Sequence, residues 1–136
     1  MSDECIFCKI IKGEVPNHTV YEDGDVLAFL DIFPHAKGHT VVIPKKHIER
    51  IEELDANSAG ALLPVIKKIT KKIDDVLHPD GYNIGWNDGK SAGQVVPHLH
   101  IHIMPRWEND GGGSMHSIIN QPGKETVESI SKLFKY

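Results

Sequence analysis

Apolar and polar positions first predict a short helix followed by three strands. Apolar residues at 6, 7, 10 and 11 have helical spacing, and Gly13 ends that helix. Two β-rich pieces separated by Glu-Asp-Gly-Asp predict a hairpin over residues 20–31. After a loop, residues 39–43 (HTVVI) predict a third strand, which Pro44 closes.

A long amphipathic helix is predicted over residues 54–77. Lysines occupy its polar side. The apolar residues that share its other side are Leu62, Ile66, Ile69, Ile73 and Val76. Pro64 either kinks this helix or marks its true start. Residues 82–86 (YNIGW) then predict a fourth strand.

The last third of the chain predicts a fifth strand and a closing helix. Residues 98–104 (HLHIHIM) alternate strictly between polar and apolar side chains, and Pro105 stops them. A flexible glycine loop at 111–113 precedes a helix over 124–136, which has Val127, Ile130 and Phe134 on one side. Strands joined mostly by hairpins, with helices kept apart, are typical of an α+β domain with an antiparallel sheet.

Composition and charge narrow the function classes. The chain has 136 residues, 40% hydrophobic and 25% charged, which predicts one domain over residues 1–136. Its net charge of −4 argues against nucleic-acid and membrane partners. No apolar run approaches the roughly 18 residues that span a bilayer, and the N-terminus lacks the pattern of a secretory signal. Because the two cysteines form no disulfide framework either, we expect a soluble cytoplasmic protein.

Three of the nine histidines lie within five positions, in the predicted strand 98–104. Because successive side chains of a strand point to opposite faces, His98, His100 and His102 are expected on one face. The apolar residues between them are expected to pack against the long helix. Two chemistries use such a row: the imidazoles bind a metal, or one of them acts as nucleophile or base while its neighbours assist. The spacing leaves both open.

The segment before this strand indicates a site for an anion. Asn87, Ser91, Gln94 and several loop amides can donate hydrogen bonds to an anionic group. The chain lacks G-x-x-x-x-G-K-[ST] and a helix-opening G-x-G-x-x-G, which are the usual phosphate-binding loops. A phosphate would therefore be held by imidazoles and loop amides, and this favours covalent catalysis at phosphorus.

Cys5 and Cys8 form a Cys-x-x-Cys pair with the spacing of metal ligands. Zinc is favoured over a redox pair because no strand precedes the motif, and two buried apolar cysteines are a further alternative. Zinc needs two more ligands to complete a tetrahedron. Local spacing does not identify them.

Several motifs along the chain match one known family at once. HLHIHIM at 98–104 has the pattern His-φ-His-φ-His-φ-φ, where φ is apolar. CIFCKII at 5–11, VLAFLDI at 26–32, GHTVVIPKKH at 38–47 and Gly93-Gln94 match as well. Together they resemble the Hint branch of the histidine triad (HIT) superfamily over residues 5 to about 106. The resemblance implies an α+β fold with an antiparallel sheet of about five strands, one long helix and one or two short helices.

The resemblance implies a nucleotide hydrolase or transferase that acts on purine nucleoside phosphoramidates. It implies that His100 is the nucleophile, which attacks the phosphorus, expels the amine and forms a nucleotidyl-histidine that water hydrolyses. His102 and His39 are implied to contact the phosphate or the leaving group. The residues implied to bind the nucleotide are Asp31, Ile32, Asn87, Gln94, His100 and His102.

The resemblance also implies a metal and an assembly. Bacterial Hint-like proteins that begin with Cys-x-x-Cys carry zinc, and the matching ligands here are Cys5, Cys8, His47 and His98. A closed Cys₂His₂ site has no open coordination position, so this zinc would be structural. Family members pair as two-fold homodimers. Two alternatives stay open: a dinucleoside polyphosphate hydrolase of the Fhit type, and a zinc-stabilised nucleotide-binding or interaction protein without catalysis.

Overall fold

A five-stranded antiparallel sheet forms the centre of the computed structural model, which describes residues 4–134. The strands are β1 Thr19–Glu22, β2 Val26–Leu30, β3 Thr40–Pro44, β4 Gly81–Gly85 and β5 Ile101–Arg106. Their order across the sheet is β1-β2-β3-β5-β4, and every neighbouring pair is antiparallel. The expected α+β class and the five-stranded sheet are confirmed.

Within residues 4–134, three α-helices accompany the sheet: α1 Ile6–Ile11, α2 Ala56–Leu77 and α3 Val127–Ser131. Asp55 starts α2, because its side chain accepts a hydrogen bond from the backbone N–H of Ser58. Pro64 therefore lies inside α2 and does not mark its start. None of the helices in this part of the chain is long and apolar enough to cross a membrane.

The main core lies between α2 and one face of the sheet. Ile69 and Ile73 of α2 pack there in one cluster with Ile101 and Ile103 of β5, as the apolar pattern predicted. The predicted stripe is wrong at Val76, which is 72% exposed. In this last turn Leu77 packs against the core instead.

A second cluster lies on the opposite face of the sheet. It joins Ile10 of α1 to Leu27 and Phe29 of β2 and to Val41 and Ile43 of β3. Because alternate residues of a strand point to opposite faces, both faces of β2 and β3 are covered. This packing places the N-terminal segment on the sheet face that does not carry α2.

The predicted strand over 98–104 is wrong at both ends, because β5 spans Ile101–Arg106. Pro105 lies within the strand and pairs with Tyr82 of β4. It is tolerated there because β3 pairs with β5 only at residues 101–103, so residue 105 has no β3 neighbour that needs its N–H. The chain before β5 takes a different path, since the N–H of Leu99 bonds to the carbonyl of Ile48.

The predicted closing helix over 124–136 is wrong in length. α3 has five residues, from Val127 to Ser131, and Thr126 caps its start. The expected apolar side does not extend it, because Val127 and Phe134 are both exposed and neither belongs to a core cluster. Residues 135 and 136 of the prediction lie outside the described residues.

Candidate active site

His100 lies just before β5, and one of its ring nitrogens is fixed. Its Nδ1 is 2.8 Å from the carbonyl oxygen of His98, so Nδ1 carries the proton and donates it. Nε2 is left with a lone pair, which a nucleophilic or basic imidazole requires. The side chain is buried, and its ring packs edge-on against the rings of Phe7 and His102.

A directed chain of hydrogen bonds runs through His39 to His102. The backbone N–H of His35 donates to Nδ1 of His39 over 3.1 Å, so the proton of His39 is on Nε2. That Nε2 lies 2.9 Å from Nδ1 of His102 and donates to it. His102 therefore carries its own proton on Nε2.

Burial keeps both of these imidazoles neutral. It is the main cause that lowers the pKa of His39 below its ordinary value. Burial also lowers the pKa of His102 to about 4, and the neighbouring His100 and His39 add to this effect. At neutral pH His102 is thus a hydrogen-bond donor through Nε2 without carrying a positive charge.

The three triad histidines do not form one row on one strand face. His98 and His100 precede β5, and only His102 lies within it. Nδ1 of His98 lies 3.4 Å from the sulfur of Cys5 and 3.7 Å from that of Cys8. His98 is therefore directed at the cysteines, as a metal ligand would be. His100 and His102 are not directed at the cysteines, and they remain the candidates for nucleophile or base.

Two cysteines and two histidines converge into a candidate metal centre. One ligand atom from each residue lies within 4.8 Å of all the others in the group Cys5, Cys8, His47 and His98. Nε2 of His98 donates to the carbonyl of Pro44 over 2.9 Å, so its Nδ1 directs a lone pair at the group.

The spacing of these atoms fits a tetrahedral ion. Nδ1 of His47 lies 3.2 Å from the sulfur of Cys8 and 3.2 Å from Nδ1 of His98. Bond lengths of about 2.0–2.3 Å around a tetrahedral zinc ion give ligand–ligand distances of about 3.3–3.8 Å. The thiolate and imidazole donors are also the ligand types that zinc prefers.

Asp31, His39 and His102 form a second close group, which is better described as a hydrogen-bond chain. Because Nδ1 of His39 already accepts the N–H of His35, its Nε2 holds a proton and has no lone pair for a metal. Oδ2 of Asp31 lies 3.7 Å from this Nε2, and Oδ1 accepts the backbone N–H of Phe33. This group orients imidazoles and does not resemble a metal site.

The remaining residues expected to bind a nucleotide differ in their solvent exposure and in the hydrogen bonds that their side chains already make. Ile32 is 71% exposed beside Asp31. Gln94 is buried, and its side chain bonds to the backbone of Glu49, Gly89 and Val96, so it organises the loop before β5. Its expected phosphate contact stays a prediction.

A trough of about 540 Å³ adjoins these histidines. It lies between β4, β5 and residues 112–118, and both His102 and Asn87 line it. His102, Met104 and Arg106 alternate along β5 with the residues that pack under α2, so the trough is on the other face of the sheet. We call it the β4–β5 trough.

Comparison with known proteins decides the family. Residues 12–109 match the model of the HIT domain. This chain belongs to the HIT domain family. The adenosine 5'-monophosphoramidase of Schizosaccharomyces pombe is 45% identical to this HIT protein over 108 residues, which are 79% of this chain and 78% of that one.

Solved structures agree with this assignment and with the fold. A HIT family protein of Bacillus subtilis superposes with a TM-score of 0.81 at 44% identity and covers 96% of this chain and 94% of its own. A Zn-bound histidine triad family protein of Mycobacterium smegmatis superposes with a TM-score of 0.75 at 39% identity, over 79% of this chain and 78% of its own. The resemblance drawn from the motifs is confirmed.

Sequence reasoning missed the backbone partners and the trough. The carbonyl of His98 and the N–H of His35 leave no trace in the sequence, because every residue type offers them. The trough had a weak signal: Trp86 and Trp107 each follow directly after one of two neighbouring strands. Both tryptophans line it.

Proposed function

We propose that this HIT protein hydrolyses purine nucleoside phosphoramidates through a covalent nucleotidyl-histidine. The supporting observation is the pair of complementary imidazoles, in which Nε2 of His100 has a lone pair and Nε2 of His102 has a proton. Similarity to the monophosphoramidase of S. pombe supports the substrate class. A nucleophile beside a hydrogen-bond donor for the phosphoryl group is an arrangement that suits this two-step reaction.

In the first step Nε2 of His100 forms a bond to phosphorus while the P–N bond of the substrate breaks. The leaving amine keeps the electron pair of that bond and takes a proton from solvent, while the Nε2–H of His102 donates a hydrogen bond to the phosphoryl group. In the second step water attacks phosphorus and gives its proton to solvent, and the bond to His100 breaks with its electron pair returning to Nε2. His39 serves both steps as a positioning residue, because its bond to Nδ1 keeps His102 in the required tautomer.

The nucleotide is assigned to residues around this pair. Asp31 would accept hydrogen bonds from the ribose hydroxyls, and the exposed side chain of Ile32 would contact the base. Asn87, which lines the same trough as His102, would donate to the phosphate. Gln94 would act by holding the backbone amides of its loop in place.

The first test is the turnover of an adenosine phosphoramidate. His100→Ala should lower kcat by more than about 10³-fold, because the nucleophile is removed. His18→Ala is the matched control, since His18 is an exposed histidine outside the site, and it should keep full activity. Wild-type turnover in ¹⁸O-labelled water should place ¹⁸O on the phosphate group of the adenosine monophosphate that is released. Full activity of His100→Ala would overturn the proposal.

The two alternative functions give different results in the same assay. A dinucleoside polyphosphate hydrolase of the Fhit type would cleave a diadenosine polyphosphate faster than the phosphoramidate. A non-catalytic nucleotide-binding protein would release no amine and would carry no transient nucleotide on His100. We expect the phosphoramidate to release its amine and to leave a transient nucleotide on His100, because formation of the intermediate expels the amine before water hydrolyses it.

We also propose that the candidate metal centre holds zinc. The convergence of Cys5, Cys8, His47 and His98 supports it, as does the Zn-bound relative from M. smegmatis. Four protein ligands leave no open position, so the ion would stabilise the N-terminal segment and take no part in chemistry. Elemental analysis should find one zinc per chain, and Cys8→Ser should lose it while His18→Ala keeps it. Metal-free protein prepared without chelator would refute this assignment.

A homodimer is the assembly that we propose. β4 is at an edge of the sheet, so its outer backbone groups are open to a second strand. Leu63 and Val76 of α2 are also exposed apolar residues. Light scattering should give about twice the chain mass of 15.1 kDa, and a mass equal to one chain at micromolar concentration would contradict the dimer.

A further inference from the structure

The β4–β5 trough opens beside the phosphate side of the active site. Of the residues expected to bind the nucleotide, His102 and Asn87 line it, whereas Asp31 and Ile32 do not. A substrate with its ribose at Asp31 and its phosphorus at His100 therefore has its nucleoside outside the trough. The group on the other side of the phosphorus, which is the leaving amine, is the part of the substrate that faces it.

The lining of the trough is aromatic and apolar. Trp86 and Trp107 stand at the ends of its two strands, and Met104, Met115 and Ile118 add apolar surface. Trp86 is 42% exposed, so part of its indole is open to a bound group.

Two of the charged residues in the lining, Arg106 and Asp110, neutralise each other, and Lys37 adds a further positive charge. Nε of Arg106 donates to Asp110 over 2.7 Å, and a second nitrogen of the same guanidinium donates to the other carboxylate oxygen over 2.8 Å. The third nitrogen bonds to Asn83 and to the carbonyl of Gly113. These bonds use four of the five N–H groups of Arg106 and pair its charge with Asp110, which weakens its attraction for an acidic leaving group.

The same arginine holds the outer wall of the trough in place. Its bond to the carbonyl of Gly113 anchors residues 112–118 against the sheet. Met115 then lies over β4, since a Cβ built on Gly85 would be 3.6 Å from Cε of Met115. The wall thus comes from a segment beyond residue 109, where the match to the HIT domain ends.

We propose that the β4–β5 trough binds the leaving group and selects amines that carry an aromatic or bulky apolar substituent. This inference rests on the proposed phosphoramidase function and adds its substrate preference. Trp107, Met115 and Ile118 are specificity-determining residues in it, and they take no part in bond cleavage.

The experiment compares two adenosine phosphoramidates, one that releases ammonia and one that releases an arylalkyl amine. The wild type should prefer the arylalkyl compound by about tenfold or more in kcat/KM, which is the usual gain from burying an apolar group in a pocket. Trp107→Ala and Ile118→Ala should bring this ratio towards one. Trp107→Phe should restore part of it, because a second aromatic ring can stack on the substrate.

Ile119→Ala is the matched control, because Ile119 is the next residue, is equally exposed and does not line the trough. It should keep the wild-type ratio. Turnover of both compounds with equal kcat/KM in the wild type, or an unchanged ratio in Trp107→Ala and Ile118→Ala, would overturn the inference alone. Failure of the wild type to hydrolyse either compound would overturn the proposed function and this inference with it.

A second copy of the chain is the competing occupant of the trough. In that case Ile118→Ala would lower the mass found by light scattering and leave the ratio of the two substrates unchanged. That combination would also overturn the inference. We expect the reverse, an altered ratio at an unchanged mass.

Discussion

Lowering the pH should reduce the free energy of unfolding, because burial keeps His102 neutral in the folded protein. Burial, reinforced by His100 and His39, sets the pKa of His102 at about 4, whereas its ordinary value is 6.5. Between these two values the unfolded chain binds one more proton than the folded protein. The contribution of His102 to stability is therefore complete above pH 6.5 and is lost as the pH falls through 6.5 towards 4.

The size of this loss follows from the two pKa values. A difference of about 2.5 corresponds to about 3.4 kcal/mol at about 1.36 kcal/mol for each pH unit. His102 lines an open trough, where solvent screens part of the burial effect, so we expect about half of that, roughly 1.5 kcal/mol. Asp31 acts in the opposite direction, since its carboxylate favours the charged ring.

Urea unfolding at pH 7.5 and at pH 4.5 measures the effect when the wild type is compared with His102→Gln. Glutamine keeps an acceptor for the N–H of His39 but cannot titrate. The wild type should lose roughly 1.5 kcal/mol more than the variant between the two pH values. Protonation of the metal ligands occurs in both proteins and cancels in this comparison.

The same measurement on His116→Gln gives the control, because His116 is exposed and lies outside the described core. This variant should lose as much stability on acidification as the wild type does. If His102→Gln also follows the wild type, then His102 titrates normally in the folded protein. The neutral donor that the mechanism assigns to it would then be wrong.

Three further predictions concern packing, backbone and the wall of the trough. Ile69→Ala should cost about 2–4 kcal/mol in urea unfolding because the side chain is fully buried, whereas Ile119→Ala should stay within about 0.5 kcal/mol. Gly38→Ala should destabilise by about 1–3 kcal/mol, since Gly38 has a φ of 80° and a Cβ there would meet the side chain of Leu77; an unchanged melting temperature would refute this. Asp110→Asn weakens the ion pair with Arg106 that holds the wall of the trough. It should therefore raise the rate of proteolysis between residues 107 and 118, while the free energy of global unfolding stays within about 1 kcal/mol of the wild type.

Local and periodic features of the fold could be predicted from the sequence. The first hairpin follows from two β-rich pieces around Asp23-Gly24, and Asp23 accepts hydrogen bonds from the backbone N–H groups of Asp25 and Val26 at that turn. The buried side of α2 follows from its 3.6-residue period. The prediction erred at Val76, because periodicity does not tell where the sheet beneath a helix ends.

Features that depend on distant contacts could not be predicted from the residues alone. Cys8 and His47 are 39 positions apart, and Cys5 and His98 are 93 apart, so no local spacing joins them. Their grouping came from the family resemblance, and the structure brings the four side chains together. The sequence predicted that Pro105 would end the strand. It could not show that β3 pairs only with residues 101–103 of β5, so that a proline at 105 is tolerated within the strand.

The path of the chain before β5 links the metal centre to the nucleophile through His98. The ring of this residue faces the cysteines through Nδ1 and donates to Pro44 through Nε2, while its carbonyl oxygen accepts the proton of His100. Because ring and carbonyl belong to one residue, the contacts that fix the ring also restrain the position of the carbonyl. The tautomer of His100 thus depends on the metal-centre cluster through the backbone carbonyl of His98. A metal without an open coordination position would therefore still support the proposed reaction, by keeping the lone pair on the correct nitrogen.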